Sequence, residues 1–101
     1  MLGPEHPNVA VSYSNLGNAY YRQGKQEEAL GEYSKALEIR LKVFGDVHPE
    51  VARSKHNIGV VLRASGKVSE ARAMFAEAAA VRRTLLGPNH PDTKESERLA
   101  E

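Results

Sequence analysis

The chain has 101 residues, of which 27% are charged and 41% hydrophobic, and its formal net charge at pH 7 is +1. These values are typical of one small soluble domain, and without a strong basic or acidic field they do not indicate binding to nucleic acid or to a membrane surface. The chain contains no cysteine, which excludes disulfide and thiolate chemistry. It also has no apolar run of the ~20 residues that a membrane span needs, so we expect a cytoplasmic protein.

One motif occurs three times at a constant spacing of 42 residues. It reads Leu-Gly-Pro-Glu-His-Pro at Leu2–Pro7, Phe-Gly-Asp-Val-His-Pro at Phe44–Pro49 and Leu-Gly-Pro-Asn-His-Pro at Leu86–Pro91. A recurrence with this period is typical of repeat architectures. The chain starts within the motif, which indicates a fragment of a longer array.

The motif divides the chain into units. Aligning residues 2–43 with residues 44–85 without a gap gives 14 identities in 42 positions, which indicates a duplication. We therefore expect a single repeat domain over residues 1–101, with a first unit at 2–43, a second at 44–85 and a partial third unit at 86–101.

Each complete unit is predicted to form two helices. In the first unit, Pro7 marks a helix start, because the N–H that proline lacks has no partner in a first turn, and Gly24 ends that helix. Glu27 and Glu28 open the second helix, where carboxylates favour the positive end of the helix dipole, and Gly45 ends it. The predicted apolar positions are Val9, Tyr13, Leu16, Gly17 and Tyr20 on the first helix, and Ala29, Tyr33, Ala36, Leu37 and Val43 on the second.

The second unit repeats this plan, with helices predicted from Pro49 to Gly66 and from Glu70 to Gly87. A shorter helix follows from Pro91. It is largely polar, so we expect it to cap the apolar end of the array.

Two glycines fall inside the predicted first helices. Gly17 and Gly59 each cost roughly 1 kcal/mol relative to alanine at an interior helical position. This cost predicts a close approach of paired helices at both positions, with Ala29 and Ala71 facing them.

These positions resemble the tetratricopeptide repeat. The matching residues of the first unit are Tyr13, Leu16, Gly17, Tyr20, Gly24, Ala29, Tyr33 and Ala36. Those of the second unit are Ile58, Gly59, Leu62, Gly66, Ala71, Phe75 and Ala78. Lys55 departs from the pattern, in which a bulky apolar residue is usual. The long period and the recurrent His-Pro linker are similar to the repeats of kinesin light chains and related bacterial and eukaryotic proteins.

The resemblance implies an all-α fold, an α-solenoid in which antiparallel helix pairs stack into a right-handed superhelix. It also implies a scaffold that binds peptides in a concave groove lined by the first helix of each pair. The residues expected on this groove are Val11, Ser14, Asn15, Asn18, Tyr21, Arg22, Arg53, His56, Asn57, Val60 and Arg63.

The chemistry of this face suits a peptide ligand. Asparagine amides both donate to and accept from an extended backbone, and arginines bind carboxylates bidentately. With three arginines, one histidine and no acid among the expected residues, the face favours an acidic partner. The alternative is a solvated surface that happens to be basic. A clamp for a C-terminal carboxylate is not predicted, because Ser14, Glu95 and Leu99 stand where its cations are needed.

Other classes of function are less well supported. The histidines His6, His48 and His90 would lie about 10 Å apart in a stack of helices, whereas zinc needs nitrogens at about 2 Å from one centre. We therefore predict no metal site and a structural role for these three histidines at the starts of helices. No catalytic or phosphate-binding motif occurs, so no enzyme activity and no cofactor are predicted.

Two alternatives to peptide binding stay open. The first is self-assembly into a homo-oligomer through the apolar ends of the short array, near Leu2 and Tyr13 or beneath the third-unit helix, or by helix exchange. The second, binding of RNA by a helical repeat, would need a continuous basic stripe, which the balanced charge does not provide.

Overall fold

The computed structural model describes residues 6–101, so Leu2, which the sequence places at an apolar end, lies outside the described part. Residues 6–101 form five α-helices and no strand. Their bounds are α1 Pro7–Arg22, α2 Gln26–Phe44, α3 Pro49–Ala64, α4 Val68–Leu86 and α5 Pro91–Leu99. The predicted all-α fold is confirmed, with α2 and α4 beginning one and two residues before the predicted Glu27 and Glu70.

The helices pack mainly with their neighbours in the chain. α1 pairs with α2 and α3 with α4, and contacts of α2 with α3 and of α4 with α5 join these pairs into a stack. The larger core cluster belongs to α2, α3 and α4 and comprises Ala29, Tyr33, Ile58, Val61, Leu62, Ala71 and Phe75. The architecture is therefore two helix pairs followed by a single terminal helix.

Glycine closes both helical hairpins. Gly24 and Gly66 have φ angles of +78° and +84°, in the left-handed region that side chains with a Cβ disfavour. These turns bring the amide of Lys25 within 2.9 Å of the Tyr20 carbonyl oxygen, and the amide of Lys67 within 2.9 Å of the Leu62 carbonyl oxygen. The repeated turn fixes the same hairpin geometry in both units.

The recurrent histidines are the N-caps of α1, α3 and α5. The Nδ1 atoms of His6, His48 and His90 accept hydrogen bonds of 3.1 Å from the backbone N–H groups of Asn8, Glu50 and Asp92, respectively. The ring of His48 also stacks on Phe44, with ring centroids 3.9 Å apart. Each histidine therefore satisfies one of the donors that a helix start leaves free.

The interior glycines make room for aromatic rings. The nearest atoms to a Cβ built on Gly17 belong to Tyr33, and those nearest to a Cβ on Gly59 belong to Phe75. An aromatic ring of the second helix therefore lies closest to each glycine, and the expectation that the buried Ala29 and Ala71 also face them stays a prediction. A Cβ at either position would lie 3.0 Å or less from several atoms of the ring. Glycine therefore leaves the space that the ring occupies.

Two predicted apolar positions are exposed. Leu16 is 47% exposed, although its counterpart in the second unit, Ile58, is only 6% exposed. α2 precedes α3 and covers this face there, whereas no helix precedes α1 within residues 6–101. Val43 is 42% exposed.

Lys55 stands where the family pattern has a bulky apolar residue. Its side chain is largely buried, and its Nζ forms an ion pair of 3.0 Å with the exposed carboxylate of Glu77.

No helix within the described residues is both long and apolar enough to cross a membrane.

Candidate functional site

A polar pocket of about 180 Å³ lies between α1 and α3, and we call it the α1–α3 groove. Its lining residues are Val11, Ser14, Asn15, Asn18, Arg40, Glu50, Arg53 and Asn57. Six of these eight belong to the set expected from the sequence. The first helices of successive units do share a groove, and its walls are mainly polar.

Arg40 of α2 forms the floor of this groove. Its side chain is almost fully buried, and Nη1 donates to the hydroxyl oxygens of Ser14 at 3.0 Å and Ser54 at 2.7 Å. Nη2 lies 3.3 Å from a carboxylate oxygen of Glu50. Burial lowers the pKa of Arg40 from its ordinary value and the charge of Glu50 opposes this shift, while guanidinium remains protonated in proteins. The network ties α1, α2 and α3 together beneath the groove.

Arg40 and Glu50 are the lining residues that sequence reasoning missed. Glu50 also lies 3.9 Å from Arg53, so one carboxylate faces two guanidinium groups. The repeat alignment could have indicated Arg40. Arg40 is identical to its counterpart Arg82, and its hydrogen-bond partner Ser54 is identical to its counterpart Ser12. No comparable signal marks Glu50, whose counterpart in the first unit is Asn8.

Asn18 is oriented by the neighbouring helix. The hydroxyl of Tyr33 donates a hydrogen bond to Asn18 Oδ1. Burial, with a smaller contribution from Tyr21, raises the pKa of Tyr33, so its hydroxyl stays protonated and keeps donating. Since the oxygen of Asn18 is engaged, its NH₂ group is the part available to a ligand.

His56 is half-buried beside the groove and does not line it. Its ring meets Phe75 edge-on at 5.4 Å between centroids, and its Nδ1 is buried with no hydrogen-bond partner. Burial, followed by the positive charge of Arg82, lowers the pKa of His56. His56 occupies the position in the second unit that Ser14 occupies in the first, where Ser14 accepts from Arg40.

The other expected residues also lie outside this pocket. Tyr21 and Arg22 are exposed near the end of α1. Val60 is half-buried and packs against the larger core cluster, and the guanidinium of Arg63 lies 5.6 Å from the centre of the Phe75 ring. Their contact with a ligand stays a prediction.

A second cavity of about 290 Å³ adjoins the starts of α3 and α5 and the end of α4. It shares Glu50 and Arg53 with the α1–α3 groove and is otherwise lined by Pro49, Arg82, Leu85, Leu86 and Asp92. No feature of the sequence indicates this cavity. Among residues 6–101, no cluster of three or more His, Cys, Asp or Glu could hold a metal ion.

Solved structures with the same architecture include BtubC (BKLC) from P. vanneervenii, with a TM-score of 0.87 and 30% identity over 95% of this chain. A putative kinesin light chain with nearly identical TPR-like repeats from Podospora anserina gives a TM-score of 0.88 and 27% identity over 99% of this chain. A variant of the latter gives the same values. This chain spans 39% of the first structure and 47% of the second. A comparison with curated proteins found no match.

The sequence model of the tetratricopeptide repeat matches twice, at residues 9–50 and 51–92. Both matches have the 42-residue period of the internal repeat, and the similar structures are kinesin-light-chain-like. The predicted resemblance is confirmed, and the chain belongs to the tetratricopeptide repeat family.

Proposed function

We propose that this chain is a non-enzymatic scaffold that binds an extended peptide segment of a partner protein in the α1–α3 groove. Tetratricopeptide repeats generally mediate protein–protein interactions. The observation that carries the proposal is the convergence of Asn15, Asn18 and Asn57 on one pocket above the buried Arg40. Amide side chains at the surface of a rigid helical scaffold can pair with the N–H and C=O groups of a peptide backbone.

The rigidity of the groove supports this function. Asn18 is fixed by Tyr33, and the floor is fixed by the hydrogen bonds of Arg40 to Ser14 and Ser54. Side chains that are already ordered lose little conformational entropy when a ligand binds. The groove therefore suits a ligand that brings its own backbone donors and acceptors.

We further propose that the partner segment is acidic. Arg22, Arg53 and Arg63 are exposed, and arginine binds carboxylates with good geometry. Glu50 offsets part of this charge, because it lies near both Arg40 and Arg53. The preference for acidic ligands is therefore expected to be moderate and to weaken as salt screens the exposed charges.

A calorimetric titration tests the proposal with two sets of short peptides, in which either Asp or Lys alternates with the same neutral residues. We expect the Asp peptides to bind more tightly, and more so at low salt. The groove variants Asn15→Ala and Asn57→Ala should weaken binding, whereas Asn89→Ala, an exposed asparagine in the loop before α5, is the matched control. Tighter binding of the Lys peptides, or equal losses for all three variants, would contradict the proposal.

A second candidate function is self-assembly through the ends of the stack. The exposure of Leu16, at a position that is buried in the second unit, favours it. Light scattering over a range of concentrations tests this function, and a constant monomer mass would exclude it.

A further inference from the structure

Glu50 lies between a buried arginine and an exposed one. One of its carboxylate oxygens is 3.3 Å from Nη2 of Arg40, and the other is 3.9 Å from Nη1 of Arg53. The side chain of Arg40 is 4% exposed, whereas that of Arg53 is 67% exposed. Glu50 therefore occupies, from within the chain, the position that a ligand carboxylate would take beside these two guanidinium groups.

Glu50 is held in this position by its backbone as well as by its charge. Its amide donates to Nδ1 of His48 at 3.1 Å in the first turn of α3, where a carboxylate interacts favourably with the helix dipole. Moving the carboxylate away from Arg40 would leave a buried guanidinium without its counter-charge, which is strongly unfavourable. We therefore do not expect a ligand to displace Glu50.

Glu50 is the one acidic residue among those that line the α1–α3 groove. A ligand carboxylate that approaches Arg53 meets the charge of Glu50 at the same guanidinium group. Like charges that are brought together across an interface oppose binding. The part of a ligand that lies beside Arg53 should therefore be uncharged.

The opposite end of the groove carries an arginine without a nearby acid. Arg22 is the last residue of α1, and it follows Asn15 by seven residues and Asn18 by four. This spacing places all three residues on one face of the helix. Arg22 is exposed, and the ion pairs found among residues 6–101 do not include it. Arg22 is therefore available to a ligand carboxylate.

We propose that Glu50 determines where a bound peptide places its charges. It keeps ligand carboxylates away from Arg53, so the acidic residues of the peptide lie at the Arg22 end of the α1–α3 groove. Neutral polar residues of the peptide lie beside Arg53 and pair with Asn15 and Asn57. This inference rests on the peptide binding proposed above, and it narrows the acidic partner to a segment whose acidic residues are grouped at one end.

Calorimetric titration of the full chain with two peptides tests this inference. In the first peptide Asp alternates with neutral residues, and in the second Asn replaces each Asp, so the ratio of the two affinities measures the charge preference. Glu50→Gln keeps the size of the side chain and removes its charge. We expect it to increase the affinity for the Asp peptide by about tenfold, because a like charge is removed, and to leave the affinity for the Asn peptide unchanged.

Arg53→Gln examines the same contact from the other side. In the parent chain it should change the charge preference by less than about twofold, because Glu50 already neutralises Arg53. In the Glu50→Gln background it should reverse most of the gain, so the two changes are not additive. Arg22→Gln in the parent chain should lower the charge preference by about two- to fivefold, as expected for an exposed ion pair.

Glu77→Gln and Arg72→Gln are the matched controls. Both residues belong to α4, and neither lines the α1–α3 groove. Glu77 is also a member of an ion pair, at 3.0 Å from Lys55, and Arg72 is exposed like Arg22. These controls change the net charge as the groove variants do, and they should leave the charge preference unaltered.

The inference is overturned if Glu50→Gln is folded, as checked by circular dichroism, and has the charge preference of the parent. It is also overturned if Arg53→Gln lowers the preference of the parent as much as Arg22→Gln does, a comparison that leaves Glu50 intact and decides the matter even where Glu50→Gln unfolds. If neither peptide binds the parent chain, the proposed function fails as well. Binding with an unaltered preference in Glu50→Gln contradicts this inference alone.

Discussion

The ring of Phe75 lies in the space that a side chain at position 59 would occupy. A Cβ built on Gly59 would be 2.9 Å from Phe75 Cε1, which is closer than packed carbon atoms approach. We expect Gly59→Ala to destabilise the chain by about 1–3 kcal/mol, because overpacking outweighs the better helix propensity of alanine. Urea denaturation followed by circular dichroism measures this change.

Gly31→Ala is the control for this substitution. Gly31 is exposed within α2, and nothing lies within 4 Å of a Cβ at this position. Here alanine should stabilise the chain by roughly 1 kcal/mol through propensity alone. If both substitutions stabilise the chain, Phe75 does not pack on Gly59 as described.

Arg40 should contribute more to stability than any exposed arginine. Arg40→Ala removes one of the two guanidinium partners of Glu50 and the donor to two serine hydroxyls. We expect a loss of about 3 kcal/mol, because the two buried hydroxyls lose hydrogen bonds to a charged group. Arg83→Ala breaks the exposed pair with Glu97 and should cost less than about 1 kcal/mol. Equal losses in urea denaturation would show that the Arg40 network is solvated.

The histidine caps should contribute to stability through Nδ1. Replacing His48 by alanine leaves the amide of Glu50 without its acceptor and removes the stacking on Phe44, so we expect a loss of about 1 kcal/mol. His48→Asn supplies another capping acceptor and should recover part of that loss. Thermal denaturation of the three chains compares them, and identical midpoints would argue against a capping role.

The stability of the chain should depend on the protonation of His56. Burial lowers the pKa of His56 below its ordinary value of 6.5 in the folded chain, so the unfolded chain takes up this proton first as the pH falls. The stability contributed by neutral His56 is therefore complete above pH 6.5 and declines as the pH falls below that value towards the folded pKa.

His56→Ser isolates this effect, because serine stands at the equivalent position of the first unit and does not titrate. The parent and the variant are compared at each pH. We expect the parent to lose more stability than His56→Ser between neutral and mildly acidic pH, as measured by urea denaturation. Parallel pH profiles would mean that His56 is freely solvated.

The helices could be predicted because local rules determine them. Pro7, Pro49 and Pro91 start helices and the turn glycines end them, and these features depend only on the backbone conformation of a few residues. The shared polar groove followed from the resemblance to the tetratricopeptide repeat, which implied that the first helices line a groove, and helical periodicity placed Asn15 and Asn57 on that face.

Arg40, the floor of the groove, could not be predicted from local rules. Arg40 reaches Ser54 only because α2 and α3 cross at a particular distance and angle, and that geometry depends on how whole units stack. Glu50 enters the groove for the same reason. Periodicity also placed Leu16 on an apolar face but could not show whether another helix covers it.

Peptide binding in the α1–α3 groove can be observed residue by residue in a nuclear magnetic resonance titration. Short acidic peptides are added to the isotopically labelled chain. We expect the side-chain amide signals of Asn15, Asn18 and Asn57 to shift in a saturable way while that of Asn89 does not. Saturable binding that leaves the three groove amides unchanged would contradict peptide binding in this groove.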